Sequence, residues 1–437
     1  VPPGSAHDRD IARLALPALG ALAAEPLYVL VDTAIVGHLG TAQLAGLALA
    51  GTLLASAFWL FNFLAYGTTA QVSRLLGARD GAGAARLAAQ ALWLAVGVGA
   101  GLCALFLALA VPAVSLMGGD GAAAESAVTY LRISALGAPF VMITLAGQGY
   151  LRGRQDMITP LKILLVANAA NVGLELALVY GLDFGIAGSA WATVIAQAGA
   201  AACFLPRLLR APERPRLARM RPLTRIGGDL FARTAALLVA FTAATAILAR
   251  VDENAVSAHQ VVFGVFVLLA LVLDALAIAA QPLIGSALGA GEGRLARDVA
   301  RRLVLWGLAA GLVLSAILAA LAGPLPRAFT SDPAVLDQVR QVWWLFVALQ
   351  PANALVFVLD GVLIGAGDTR YLSAGMIAAV GLAFAPIAVA TLPAGWGIMG
   401  VWAAIAALIG ARLVVNLARF AGGRWAVLGV PREAGPA

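Results

Sequence analysis

Within the apolar stretch VANAANVGLELALVYG (166–181), three polar residues stand at helical spacing: Asn168, Asn171 and Glu175, at i, i+3 and i+7. Carboxylate and amide oxygens on one helix face are hard ligands for a monovalent cation, and a carboxylate also takes a proton. Other polar residues can meet them. Asp32, Tyr28 and Glu25 stack at i, i−4 and i−7 along LAAEPLYVLVDTAIVG, and Gln197 lies one turn beyond Thr193 in SAWATVIAQ. Counted from a turn near Leu182, Asn171 and Thr193 are each eleven residues away and so lie at similar depth. Glu175 and Asp32 each sit about 5 residues, or roughly 8 Å, below the outer ends of their segments. Asp32, Asn171, Glu175 and Thr193 are therefore expected to converge as a site for a proton or Na⁺. Glu25, Tyr28, Asn168 and Gln197 are expected to line an adjoining substrate cavity. The alternative is a helix–helix hydrogen-bond network, worth about 0.6–2 kcal/mol per bond, with no ion.

The elements that must position these residues are membrane helices. The chain has 437 residues, 62% hydrophobic and only 12% charged, with a mean hydropathy of +0.93; soluble domains carry about 25% charged residues. No Asp, Glu, Lys or Arg occurs from Leu87 to Gly119, and about 20 apolar residues cross a bilayer. Apolar runs between Gly, Pro and charge breaks predict an all-α protein with twelve spans: 11–36, 43–70, 84–110, 122–148, 157–180, 185–208, 224–249, 255–282, 296–321, 334–362, 369–391 and 397–420. Arginines crowd alternate connections, seven of them in RLLRAPERPRLARMRPLTR. The positive-inside rule then places both termini and the Arg-rich loops in the cytoplasm, and the expected location is the cytoplasmic (inner) membrane. That distribution assigns the net charge of +7 to topology and not to nucleic acid. Cys103 and Cys203 lie in apolar runs and suit packing. The opening VPPGSAHDRD lacks the pattern of a signal peptide. No phosphate loop, HExxH or GxSxG motif occurs, so neither an enzyme nor a cofactor beyond the coupling ion is expected. A monomer is the expected state.

Pairing each residue with the one 212 later, without gaps, keeps matching: LLGARD with ALGAGE, Pro139 with Pro351, GYLRGRQD with GVLIGAGD, Gly185 with Gly397. The chain therefore reads as two parallel six-helix repeats, residues 1–205 and 224–437, joined by a cytoplasmic linker at 206–223. Departures from the repeat point to function. Asp32 pairs with Ala244, Glu25 with Leu237, Asn171 with Ala383, Glu175 with Ile387 and Thr193 with Ile405. Fold alone does not require these polar groups, because the second copy lacks them.

The 6+6 repeat, the segment LALPALGALAAEPLYVLVDTAIVGHLG, the LLGARD and ALGAGE loops and IAAQPLIG resemble the multidrug and toxic compound extrusion (MATE) family, in its DinF-like branch. The resemblance implies two six-helix lobes forming a V, and an antiporter that couples H⁺ or Na⁺ entry to export of amphipathic organic cations or drugs. It also implies an ion site made by the first-span Asp32, the Asn171/Glu175 pair and Thr193, with Glu175 in place of the family's commoner Asp. Pro17 maps onto a helix-bending proline, and Pro26 in the same span is a second kink candidate. Asp274 and Asp360, partners of Asn62 and Gln148 in the repeat, are secondary candidates. A lipid-linked precursor flippase of the same superfamily is the runner-up, disfavoured because the intramembrane charges read as mostly acidic. Trp343 and Trp344 are expected to anchor at the membrane interface, and Gln281-Pro282 to end the eighth span.

Overall fold

The computed structural model describes residues 6–430, and among them all regular structure is helical. The helices are α1 (Ala6–Gly37), α2 (Thr41–Gly77, interrupted at Phe61 and Asn62) and α3 (Gly81–Leu116). Next comes α4, a pair of segments, Gly121–Ala135 and Ala138–Gly153, bent by 51°. They continue with α5 (Ile158–Gly181), α6 (Gly185–Leu208), α7 (Leu217–Leu248) and α8 (Glu253–Gly289). The last are α9 (Gly293–Ala320), α10 (Pro333–Gly365), α11 (Thr369–Thr391) and α12 (Gly397–Ala421). Eleven are long and apolar enough to cross a membrane, and the bent α4 makes a twelfth. Their outer faces are apolar as well: Leu382 is 81% and Val166 69% exposed. Water would oppose such a surface, whereas lipid accepts it.

The repeat extends to single dihedrals. The loop after α2 turns through Arg79 (φ 62°) and the loop after α8 through Gly291 (φ 78°), 212 residues on. Gln155 (φ 60°) and Gly367 (φ 74°) stand in the same relation after α4 and α10. Both copies reverse direction in the left-handed region, so one copy places a side chain where glycine is the easier choice. Close packing repeats too. A Cβ on Gly149 would lie 2.5 Å from the Ala65 carbonyl oxygen, and one on Gly361 would lie 2.4 Å from that of Ala277, the equivalent residue. Backbone-to-backbone approach through small residues is how helices associate without a hydrophobic drive.

The copies differ where helices break. Gly137 and Pro139 interrupt α4, whereas α10 runs unbroken through Pro351; Leu349 replaces the glycine there. Pro282 lies inside α8, which continues to Gly289, so it does not end that span as expected. A membrane helix tolerates the lost N–H when neighbours satisfy the freed carbonyl.

The chain divides into two compact units. One is Leu16–Gly227; the other is Gly228 onward together with the described residues up to Ala15. The second unit thus holds the first turns of α1: Asp8 accepts hydrogen bonds from Arg302 Nη2 (2.6 Å) and Trp306 Nε1 (2.8 Å). The first unit holds the start of α7. There Gln90 donates to the Arg214 carbonyl (3.1 Å) and accepts from the Arg216 N–H (2.9 Å), while Trp93 donates to the Glu213 carbonyl (2.9 Å). Gln90 and Arg302 are equivalent in the repeat, and so are the crossovers Ala15–Leu16 and Gly227–Gly228. Pro17 stands just past the first crossover and removes the N–H that would bond Arg13.

Candidate functional site

In the first unit, α1, α4, α5 and α6 bring their polar residues to one buried place. The hydroxyls of Tyr28 and Thr193 share a hydrogen bond of 2.8 Å, and Asn171 Nδ2 donates to the same threonine oxygen at 3.3 Å. One turn before Thr193 on α6, Ser189 donates to Asp32 Oδ1 at 2.7 Å. Glu175 is 0% exposed and lies beside Asp32 and Ser189. Neither of its oxygens accepts a hydrogen bond, and the same holds for Asn171 Oδ1. Tyr130 from α4, 4% exposed, closes the group beside Thr193 and Ser189. The two carboxylates that the spacing placed at one depth are therefore neighbours, both shielded from lipid.

Ionised carboxylates only accept hydrogen bonds. Asp32 cannot satisfy Glu175, nor Glu175 Asp32, unless a proton or cation lies between them. A buried acceptor left unpaired costs about 1–3 kcal/mol, and three such oxygens meet here. The donor set is two carboxylates, an amide oxygen and hydroxyls, which suits a proton or a hard monovalent ion. Among the described residues, no three His, Cys, Asp or Glu gather as a metal cluster.

The remaining candidates are placed as follows. Asn168 Nδ2 donates to the Ala24 carbonyl of α1 (3.1 Å), two residues before Pro26. Gln197 packs at the α4 bend, where its Oε1 would lie 2.1 Å from a Cβ on Gly137, so a larger residue there would displace the glutamine side chain. Glu25 is exposed and is not drawn into the cluster; seven residues from Asp32, it lies about 10 Å away along α1. Pro17 and Pro26 are both inside α1. Immediately after Glu175, residues Ala177–Gly181 form a π-helical turn, which places the Tyr180 hydroxyl to donate to the Ile35 carbonyl at 2.6 Å. Such turns recur at functional sites.

The second unit has a different polar cluster. Asp360 Oδ2 accepts from Arg233 and from Arg412 (2.7 Å), and Oδ1 accepts from Asn416 (2.8 Å). With its oxygens held by two guanidiniums and an amide, Asp360 offers a cation nothing until those pairs break. Asp274 is half-buried on α8. Trp343 is no interface anchor: it is 2% exposed and donates to the Leu318 carbonyl (3.2 Å), while Trp344 is 61% exposed.

Sequence reasoning missed Tyr130 and Ser189, although their repeat partners are Val342 and Val401. The comparison of copies that singled out Glu175 would have found both. It also missed Arg233 and Arg412, which pair with Ala21 and Ala200. The intramembrane charges are therefore not mostly acidic, contrary to the expectation from sequence, since Arg233 and Arg412 flank Asp360 in the second unit.

The MatE family model matches residues 17–176 and again 231–390, once per repeat. The chloroplastic protein DETOXIFICATION 44 of Arabidopsis thaliana is 35% identical over 93% of this chain and 81% of its own length. DNA damage-inducible protein F of Escherichia coli is 29% identical over 93% of this chain and 91% of its own. Among solved structures, a crystal structure of MATE in the bent conformation superposes with a TM-score of 0.88 at 20% identity, covering 96% of this chain and 95% of that one.

Proposed function

Because the chain belongs to the MatE family, and so is a membrane transporter and not an enzyme, we propose that it is an antiporter driven by H⁺ or Na⁺ through the Asp32–Glu175 site. It exports small organic molecules, amphipathic organic cations being the class that the sequence resemblance implies. It works as a monomer in the inner membrane with both termini in the cytoplasm. The observation that carries this reading is Glu175, wholly buried beside Asp32 with no donor for either oxygen.

A proton or Na⁺ entering this place supplies the positive charge that the protein itself withholds. Asp32 sits on α1, so the ion acts on the attachment of that helix. The ties are Tyr28 to Thr193, Ser189 to Asp32, Asn168 to the Ala24 carbonyl and Tyr180 to the Ile35 carbonyl. Pro17 and Pro26 leave two turns of α1 short of a backbone bond and make it the helix readiest to bend. The ion shifts α1 between two packings only by its difference in affinity for them, and the loaded packing releases cargo outward. Glu25, Tyr28, Asn168 and Gln197 serve as the polar lining toward the cargo.

The test is Asp32→Asn in proteoliposomes, with ethidium as the reporter cation. The variant should elute as a folded protein and show no ion-driven export. Export at the wild-type rate would refute the coupling role.

A further inference from the structure

We propose that the second unit holds the phosphate of an anionic phospholipid in a cavity between the outer ends of α9 and α10, with Arg327 and Arg340 as its ligands. Calling these ends outer rests on the membrane orientation proposed above; the cavity itself does not. It measures about 100 Å³, and its walls include Pro326 and Arg327 of the short turn after α9 and Leu336, Arg340, Trp343 and Trp344 of α10. At about 30 Å³ per water, that is room for a phosphate group. It is far below the roughly 300–1,000 Å³ of a site for a drug-sized molecule, so the cavity suits a headgroup and not cargo.

The repeat shows that the fold does not require these arginines. The first copy forms a cavity at the same place, of about 430 Å³, whose walls include Val114, Ser115, Ala124 and Val128. These are the equivalents of Pro326, Arg327, Leu336 and Arg340. The charged residue in that first wall is an acid, Glu125, and residues 111–131 contain no Lys or Arg. Topology does not call for the arginines either. Basic residues mark the cytoplasmic side, and Arg327 and Arg340 stand on the other.

Both guanidiniums are available to an anion. Among the described residues, Arg327 is exposed and forms no ion pair. Arg340 meets Asp337 at 2.6 Å, but the two side chains are 65% and 66% exposed, and such pairs hold weakly. Asp332 and Asp337 are the acids of the segment 321–345. Asp332 caps α10 by accepting the Ala334 N–H (2.8 Å), and neither acid lines the cavity. They keep the local charge near balance, so binding depends on contact and not on long-range attraction. Guanidinium forks match the oxygens of a phosphate. With no carboxylate in the wall, an ammonium headgroup finds no partner, which favours phosphatidylglycerol over phosphatidylcholine. Trp344 (61% exposed) and Phe329 (52% exposed) offer apolar surface to the acyl chains, as aromatic rings do at headgroup level.

Native mass spectrometry of the full chain, delipidated in detergent and titrated with each lipid, tests this. Wild type should bind one phosphatidylglycerol about ten-fold or more tighter than phosphatidylcholine. The double variant Arg327→Gln, Arg340→Gln should bind the two lipids alike. Should it fail to fold, Arg327→Gln alone, which breaks no ion pair, should lower the preference. Arg301→Gln, which removes an equally spaced exposed pair with Asp298, should keep it. Equal binding of the two lipids by wild type, an undiminished preference in the arginine variants, or an equal loss in Arg301→Gln would each overturn the assignment. So would displacement of the lipid by millimolar glycerol 3-phosphate, which marks a site for free anions. The measurement needs neither a gradient nor an orientation, so its failure leaves the coupling role of Asp32 standing. Loss of that role, with lipid binding intact, would leave the phospholipid site standing.

Discussion

Replacing Glu175 by Gln should stabilise the protein and, in the same step, remove its response to the coupling ion. Glu175 is fully buried with both oxygens unpaired, next to a second carboxylate. A glutamine has the same shape, but its amide nitrogen donates, and Asp32 and Ser189 lie beside it to accept. The substitution gives Asp32 a permanent donor, removes one charge and leaves one oxygen unpaired where two were. Relieving even one stranded acceptor is worth about 1–3 kcal/mol, and removing the like charge adds to it; about 2 kcal/mol is a roughly 30-fold shift in an equilibrium. The assay is thermal unfolding in detergent across pH and Na⁺ concentration. The wild-type midpoint should depend on one of the two, whereas Glu175→Gln should start higher and stay flat. A variant less stable than wild type in the absence of ion, or one that keeps the wild-type dependence on pH or Na⁺, would refute the argument that an ion completes this site.

Two further outcomes test the scaffold. Gly361→Ala drives a methyl to 2.4 Å from the Ala277 carbonyl oxygen and should destabilise by about 1–3 kcal/mol; Gly149→Ala should do the same in the first unit, while Gly173→Ala, which meets nothing within 4 Å, should be neutral in the same unfolding assay. Asp8→Ala removes the acceptor for Arg302 and Trp306, so hydrogen exchange should quicken over the first turns of α1 and leave α5 and α6 unchanged.

How much of this was legible beforehand depended on whether the signal was periodic or relational. The twelve spans follow from hydropathy, which a bilayer imposes on each helix separately, whereas their ends do not: α2 and α8 run on to Gly77 and Gly289, past the ends expected at 70 and 282. The constant offset of 212 exposed the repeat, because charged residues and prolines in apolar sequence leave few chance coincidences. Asn171 and Thr193, counted to one depth, prove to be hydrogen-bonded. Glu25 shared a stripe with Asp32 but remains exposed, since a stripe along α1 reaches farther than the cluster does. Ser189 and Tyr130 escaped because hydroxyls look unremarkable in a membrane helix until a carboxylate is seen beside them. Arg233, Arg412 and Asp360 come from three separate helices, so no local pattern could join them. Trp343 was misplaced because depth along α10 was legible and its facing was not.

The division of labour between the copies explains why α1 is the element on which an ion can act. Close backbone approaches stiffen α2, α4, α8 and α10 through glycines equivalent in the two repeats. Besides its buried Ala18, Ala21, Ala24, Ile35 and Val36, α1 is held in the first unit by four polar ties, from Tyr28, Asp32, Ala24 and Ile35 to residues of α5 and α6. Each is worth about 1 kcal/mol, so the four together supply a few kcal/mol, comparable to the roughly 5.5 kcal/mol that reverses a 1:99 population. Two of the four end on Asp32 or Thr193, within the ion site itself. Neutralising one carboxylate at the foot of these ties therefore changes the preference of the helix between its packings. The polar residues found only in the first copy therefore both bind the ion and hold the helix that it moves.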